Sequence, residues 1–401
     1  MDGKRVSWVE LYLDLVFVLA IGQIAHLIVA EPEMHSVWVA LGLFFVLWWT
    51  WVGFAVLYNR HGADAPLQRL LFLAGSVPAG VAAVAIEPAS KGDVTVFAIS
   101  LAVTRLVLAV ANGQAGGRTQ LLQLRITRAL LTSAALFLVS VWVPEPFTYV
   151  LWVIGIGIES GAMLNEDREA TRRAREKHDW SEMAPADPAE ALDAHHFAER
   201  FGLFLIILLG EVLVEAGQSA AALHVGTTGG WTALVAAMVL AGALWWLYFD
   251  SVADVNLRVL ELSGGSPTIA RAIFAVGHML PSFALLVTAA GVGLLLEDDS
   301  PRIAYGLACT GVGLYMLGTR VIRMGSGRVP APVRVLLVVA TFALAPLFHG
   351  LGGHVYLWLL TGWVLMVAAL TTRTGASDDE TLARFLPPDR PERQRERRAK
   401  A

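Results

Sequence analysis

The stretch VELYLDLVFVLAIGQIAHL, residues 9–27, decides the fold. Together with the residues around it, it forms an apolar segment of about 20 residues, enough to span a hydrocarbon core of about 30 Å as a helix. It contains Asp14 and lacks a small-residue cleavage site, so it reads as a retained spanning helix and not as a signal peptide. The composition around it agrees. Of the 401 residues, 56% are hydrophobic and only 16% charged, with 13 tryptophans, a balance suited to a chain whose main solvent is lipid. The net charge of -4 and the basic run at the C-terminal end give no reason to expect a nucleic-acid partner. The single cysteine, Cys309, excludes an intramolecular disulfide or a thiolate metal cluster.

Twelve such segments predict an all-α polytopic membrane protein. They lie at about residues 11–30, 37–57, 67–87, 93–111, 126–143, 147–164, 197–218, 231–250, 271–296, 302–322, 332–348 and 352–372. Lysine and arginine concentrate in cytoplasmic loops, which tests the count. If the chain alternates through all twelve segments, 27 of the 30 fall on one side; Lys91 and Arg302 face the other way, and Arg105 lies within a helix. An odd number of segments scrambles this pattern, so both termini are expected in the cytoplasm of a cell-membrane protein, the bacterial inner membrane.

The organisation expected is an N-terminal six-helix half (1–164), a charged cytoplasmic linker (165–196), a C-terminal six-helix half (197–373) and a disordered tail (374–401). Internal likeness supports two parallel six-helix repeats. Gly22-Gln23 in the first segment matches Gly210-Glu211 in the seventh, and Trp48-Trp49 in the second matches Trp245-Trp246 in the eighth. The third segment of each half has a Gly-to-Pro string, ending at Pro78 and at Pro281. Repeats of this kind place binding sites at their interface.

Ionisable groups at membrane depth are costly, and each marks a candidate site. Near the cytoplasmic face stand Glu10 and Asp14, one turn apart, then His195, His196, Glu199 and Arg200, and then Tyr248 and Asp250. Snorkelling or mutual pairing is the ordinary role of such helix-end charges. Deeper lie Glu211 and Glu215, at i and i+4 on one helical face, with Gln23 on the first segment and His278 on the ninth. A carboxylate alone at that depth has to take up a proton or find a partner. Arg105, the one deep cation, is the natural counter-ion for Glu211 or Glu159. His195 and His196 share a helical face with Glu199 at spacings of four and three, as metal ligands do, though the spacing is common by chance. No nucleophile elbow, zinc-protease, P-loop or dinucleotide motif occurs.

Two strings suggest a family. Glu10, Leu11, Asp14, Leu15, Val16, Phe17 and Val18, and then His196, Glu199, Arg200, Phe201, Gly202, Leu203, Phe204, Gly210 and Glu211, resemble the bacterial low temperature requirement A (LtrA) family. That family's first helix reads E-L-F-F-D-L-V-F-V; here Tyr12 and Leu13 replace the aromatic pair and the carboxylates stay in place. The resemblance implies a multipass fold and flags the carboxylates; the family is named for a growth phenotype and assigns no substrate. The expected function is a secondary transporter or permeation protein with proton coupling. In it Glu211 binds the ion or substrate, Arg105 tunes Glu211, and Asp14 with Glu199 gates the cytoplasmic side. The alternatives are an intramembrane enzyme acting on a lipid or isoprenoid through His195 and His196, or an ion channel. The expected partners are the lipid bilayer and a small-molecule or ion substrate, with a homo-oligomer left open and no cofactor.

Overall fold

A computed structural model describes residues 6–62, 66–114, 120–164, 167–177, 179–222, 228–250, 252–297, 299–319 and 329–371. Every regular element among them is helical, as lipid demands, because a helix satisfies its own backbone groups. The first half contains α1 (Trp8–Ala30), α2 (Met34–His61), α3 (Pro66–Val84), the short α4 (Ile86–Ser90), α5 (Thr95–Gln114), α6 (Gln120–Val139) and α7 (Phe147–Met163). After the linker helix α8 (Arg168–Lys177) come α9 (Ala194–Ala222), α10 (Thr228–Phe249), α11 (Val252–Leu262), the single turn α12 (Pro267–Ile269) and α13 (Met279–Leu295). The chain then runs through α14 (Arg302–Gly318), α15 (Ala331–Phe348) and α16 (Gly353–Thr371). The tail expected at 374–401 lies outside the described residues.

Over the described residues each of the twelve apolar segments is largely helical, and eight helices among those residues are long and apolar enough to cross a membrane. Helices α7 and α14 have 17 residues each. At 1.5 Å per residue that is about 26 Å, just short of a full span.

The two halves meet through α1 and α2 on one side and α9 and α13 on the other. Glu10 of α1 pairs with Arg200 of α9, and Gly22, further along α1, lies against Glu211, further along α9, so the two helices run parallel. The matched tryptophan pairs part company. Trp48 and Trp49 are buried, whereas Trp245 and Trp246 are 41% and 45% exposed on the outer surface of the bundle. Trp48 and Trp51 pack with Phe201 and Phe204 to form an aromatic layer between the halves.

The ninth segment is broken. A π-helical turn over Ala270–Ala275 precedes α13, and a Cβ on Gly277 would lie 2.2 Å from the Ile273 carbonyl oxygen, so only glycine fits there. The Trp48 indole donates to the Ala275 carbonyl at 2.7 Å, and the His278 ring bonds the Ile273 carbonyl at 2.9 Å. A break within lipid is tolerated when neighbouring side chains take up carbonyls in this way.

The linker docks beneath the bundle. Leu192 N–H donates to the Gly265 carbonyl at 2.9 Å, Arg60 donates to the carbonyls of Glu190 and Met163 at 3.1 Å, and Asn59 holds the backbone of Asp193. Gly265 has φ +70°, and a Cβ there would sit 2.2 Å from the Leu192 oxygen.

Candidate functional site

Three groups of buried acids lie inside the bundle among the described residues, and the chemistry of each follows from its partners. The first is at the linker end of α1 and α9. Arg200 donates to Glu10 and, at 3.1 Å, to Asp14 Oδ1, and the Trp51 indole donates to the same Asp14 oxygen at 2.7 Å. The Glu10 carboxylate also accepts the Ser7 N–H at 2.9 Å, as in a capping box, while the Ser7 hydroxyl bonds Tyr58.

The protonation of His196 follows from its neighbours. Asn59 Oδ1 must be the acceptor of the Asp193 N–H at 3.0 Å, so its Nδ2 is a donor, and it donates to His196 Nδ1 at 2.9 Å. The His196 proton is therefore on Nε2, facing Glu10 at 3.1 Å, and the ring is neutral. One guanidinium thus serves two carboxylates. With both acids ionised the group carries one uncompensated negative charge, and Asp14 Oδ2 has no partner among the described residues.

Glu199 does not belong to this group, contrary to the expected gate. His196 and Arg200, four residues apart, face inward, which turns His195 and Glu199 to the exposed side. His195 pairs there with Glu261 at 2.8 Å, so the two histidines do not converge. Among the described residues no three of His, Cys, Asp and Glu come together as metal ligands.

The second group is Arg105 of α5, and its partner is Glu159 of α7, not Glu211. Nε and Nη2 grip the two carboxylate oxygens at 3.0 and 2.9 Å. Nε also reaches Ser133, Nη1 reaches the Leu101 carbonyl at 3.1 Å, and the guanidinium lies over the Phe137 ring at 4.0 Å. A Cβ on Gly155 would lie 2.8 Å from the Ser133 hydroxyl, so the glycine makes room for this arrangement. Every nitrogen of the Arg105 guanidinium has a partner.

The third group is Glu211 and Glu215. They follow one another by a turn on α9, roughly 16 Å along the helix from Arg200. A Cβ on Gly22 of α1 would lie 3.3 Å from Glu211 Oε1, and one on Gly293 of α13 would lie 3.2 Å from Glu215 Oε2. Two glycines thus form the walls against which the acids rest. Each acid is 5% exposed, and among the described residues neither meets a cation or a hydrogen-bond donor.

Gln23, next to Gly22, turns to another space. With His26, Glu31, His35, Glu87 and Lys91 it lines a cavity of about 180 Å³ at the far ends of α1 and α2, opposite the linker. Lys91 bonds Glu87 at 2.8 Å. Tyr248 and His278, expected as supporting residues, bond each other at 2.7 Å beside the break in the ninth segment. Asp250 is the residue immediately after the end of the α10 helix and is half-buried. Sequence reasoning missed Trp51, Asn59 and the two glycines, since their roles depend on which helices touch.

These features define a multipass α-helical membrane protein with an acidic interior. The family model described as bacterial low temperature requirement A protein (LtrA) matches residues 5–370, so the chain belongs to the LtrA family. Over 382 residues it is 26% identical to the uncharacterized protein RA0937 of Rhizobium meliloti (strain 1021), covering 92% of this chain and 89% of that protein. No solved structure matches the chain.

Proposed function

We propose that this protein is a secondary transporter or related permeation protein of the bacterial cell membrane, with twelve spans in two parallel six-helix repeats and Glu211 and Glu215 as its cation-binding centre. One observation carries the reading: two acids one turn apart, held inside the bundle against glycines, with no counter-charge among the described residues. Such a pair stays in a low-dielectric site only by taking a proton or a cation. A centre that binds and releases positive charge at mid-membrane is what coupling requires. The parallel course of α1 and α9 supports the repeat arrangement, and in this reading the bias of lysine and arginine assigns both termini and the linker to the cytoplasmic side.

In this reading the Arg200 group closes the linker side. It fastens α1 to α9 through Glu10 and Asp14, and the aromatic layer of Trp48, Trp51, Phe201 and Phe204 lies beside it. Asp14, with one idle oxygen, is the place where a proton relieves the extra negative charge of that group. Opening toward the linker means breaking these bonds. Catalysis by His195 and His196 draws no support, because one points outward to Glu261 and both ring nitrogens of the other are engaged.

The test is flux in proteoliposomes holding a pH-sensitive or alkali-cation-sensitive dye. Glu211→Gln removes the charge with little change of shape and is expected to reduce cation movement at least tenfold. Undiminished flux in that variant overturns the assignment.

A further inference from the structure

The cavity opposite the linker is lined by α1, α2 and α4, and its deepest α1 residue directly follows the glycine that touches the acid pair. Gln23 lines it, and the residue before Gln23 is Gly22, on which the Glu211 carboxylate rests. We propose that this cavity is the vestibule through which a small monovalent cation, a proton or an alkali ion, reaches Glu211 and Glu215 from the face opposite the linker. The inference rests on the reading of that pair as a cation centre and adds its route and its sidedness.

Three observations point the same way. The first is continuity: Gln23, His26 and Ala30 fall on one stripe of α1, at spacings of three and seven residues, and all line the cavity, so the stripe leads inward to the level of Gly22. The second is access. Glu211 and Glu215 keep 5% exposure each, whereas Asp14 and Arg200 have none, so the acid pair is less completely sealed than the linker-side group. The third is charge. Lys91 is spent on Glu87 at 2.8 Å, which leaves Glu31 as the net charge of the wall when the imidazoles of His26 and His35 are neutral. A wall of net charge −1 leading to two further carboxylates concentrates cations and repels anions, because the low-dielectric surroundings focus the field along the opening.

The cavity is too small for a macromolecule or a lipid tail. Its two histidines and two glutamates are not gathered as a chelating site, since no three such residues converge among the described residues. A mobile, weakly held ion suits it better than a tightly bound divalent metal.

The one native thiol, Cys309, is buried, so a cysteine-free background needs only Cys309→Ser. In that background, Gln23→Cys and, separately, His26→Cys are treated in sealed vesicles of either orientation with membrane-impermeant thiol reagents of matched size and opposite charge. Both variants are expected to react from the face opposite the linker, and Gln23→Cys on the order of tenfold faster with the cationic reagent than with the anionic one. Modification at Gln23→Cys is also expected to block cation flux. Dyes for protons and for alkali ions in the same vesicles tell the two ions apart. Reaction only from the linker side, absence of reaction at both positions in folded monodisperse protein, or preference for the anionic reagent overturns the vestibule. Flux that depends on Glu211 without this labelling faults the route alone. The expected labelling with flux indifferent to Glu211→Gln faults the cation centre.

Discussion

Glu159 and Glu211 are the same residue type, both on membrane helices and both 5% exposed, yet they sit in opposite electrostatic circumstances. Glu159 is held through both oxygens by Arg105, which is itself saturated by Ser133, Leu101 and the face of Phe137. Glu211 rests on a glycine, with a second acid one turn away. Equal burial therefore says nothing about role. An acid that brings its own cation is fixed, and its removal exposes the partner. An acid without one exchanges its counter-charge with the surroundings, which is what a working site has to do.

The largest effect should come from Arg105→Met. It strands Glu159, and thermal unfolding in detergent is expected to show a loss of about 3–5 kcal/mol. Adding Glu159→Met should recover most of that loss, since an apolar pair of similar volume substitutes well for a buried ion pair. If the single and double variants unfold alike, the bridge is not the structural element inferred here.

Next in size is Trp51→Phe, which keeps a ring in the aromatic layer and removes the donor to Asp14 Oδ1. With Oδ2 already idle, the expected cost is about 1–3 kcal/mol by the same measurement. A neutral result would mean that Arg200 alone suffices for Asp14.

A smaller loss, about 1 kcal/mol, is expected for Gly22→Ala, because the added methyl lies 3.3 Å from Glu211 Oε1 and the carboxylate must move by a few tenths of an ångström. Cation affinity in the flux assay should fall by more than stability does, which separates a site wall from a packing contact.

The smallest change in stability belongs to Glu211→Gln. Replacing an uncompensated acid with a neutral isostere should leave unfolding within about 0.5 kcal/mol or raise stability slightly, while flux is lost. A large destabilisation would show that Glu211 has a structural partner and would erase its difference from Glu159.

Much of the framework could be read before any packing was known. The twelve apolar segments are largely helical over the described residues, and of the cytoplasmic-face candidates Glu10, Asp14, His195, His196, Glu199, Arg200, Tyr248 and Asp250 the structure joins Glu10, Asp14, His196 and Arg200 in one group. The errors are instructive. Glu199 and Arg200 are neighbours in a motif, and helical period alone says that they point about 100° apart without saying which of them faces inward. The outcome came from α1, whose two acids at positions 10 and 14 call for a cation. Arg105 was offered to Glu211 or to Glu159, and its choice of α7 depended on the contact between α5, α6 and α7. Gly22 and Gly293 bore no signal as parts of a site, because a glycine wall is defined by what rests on it.

By itself the sequence determined that this chain lives in lipid, which residues are helical and which acids are costly. Those properties depend on runs of neighbouring side chains and on the solvation of single groups. Tertiary structure alone decided which costly acid is compensated and which is left open. Partners 54 or 190 positions apart, such as Arg105 with Glu159 or Glu10 with Arg200, are chosen by the helices that pack together, and no local pattern records that choice.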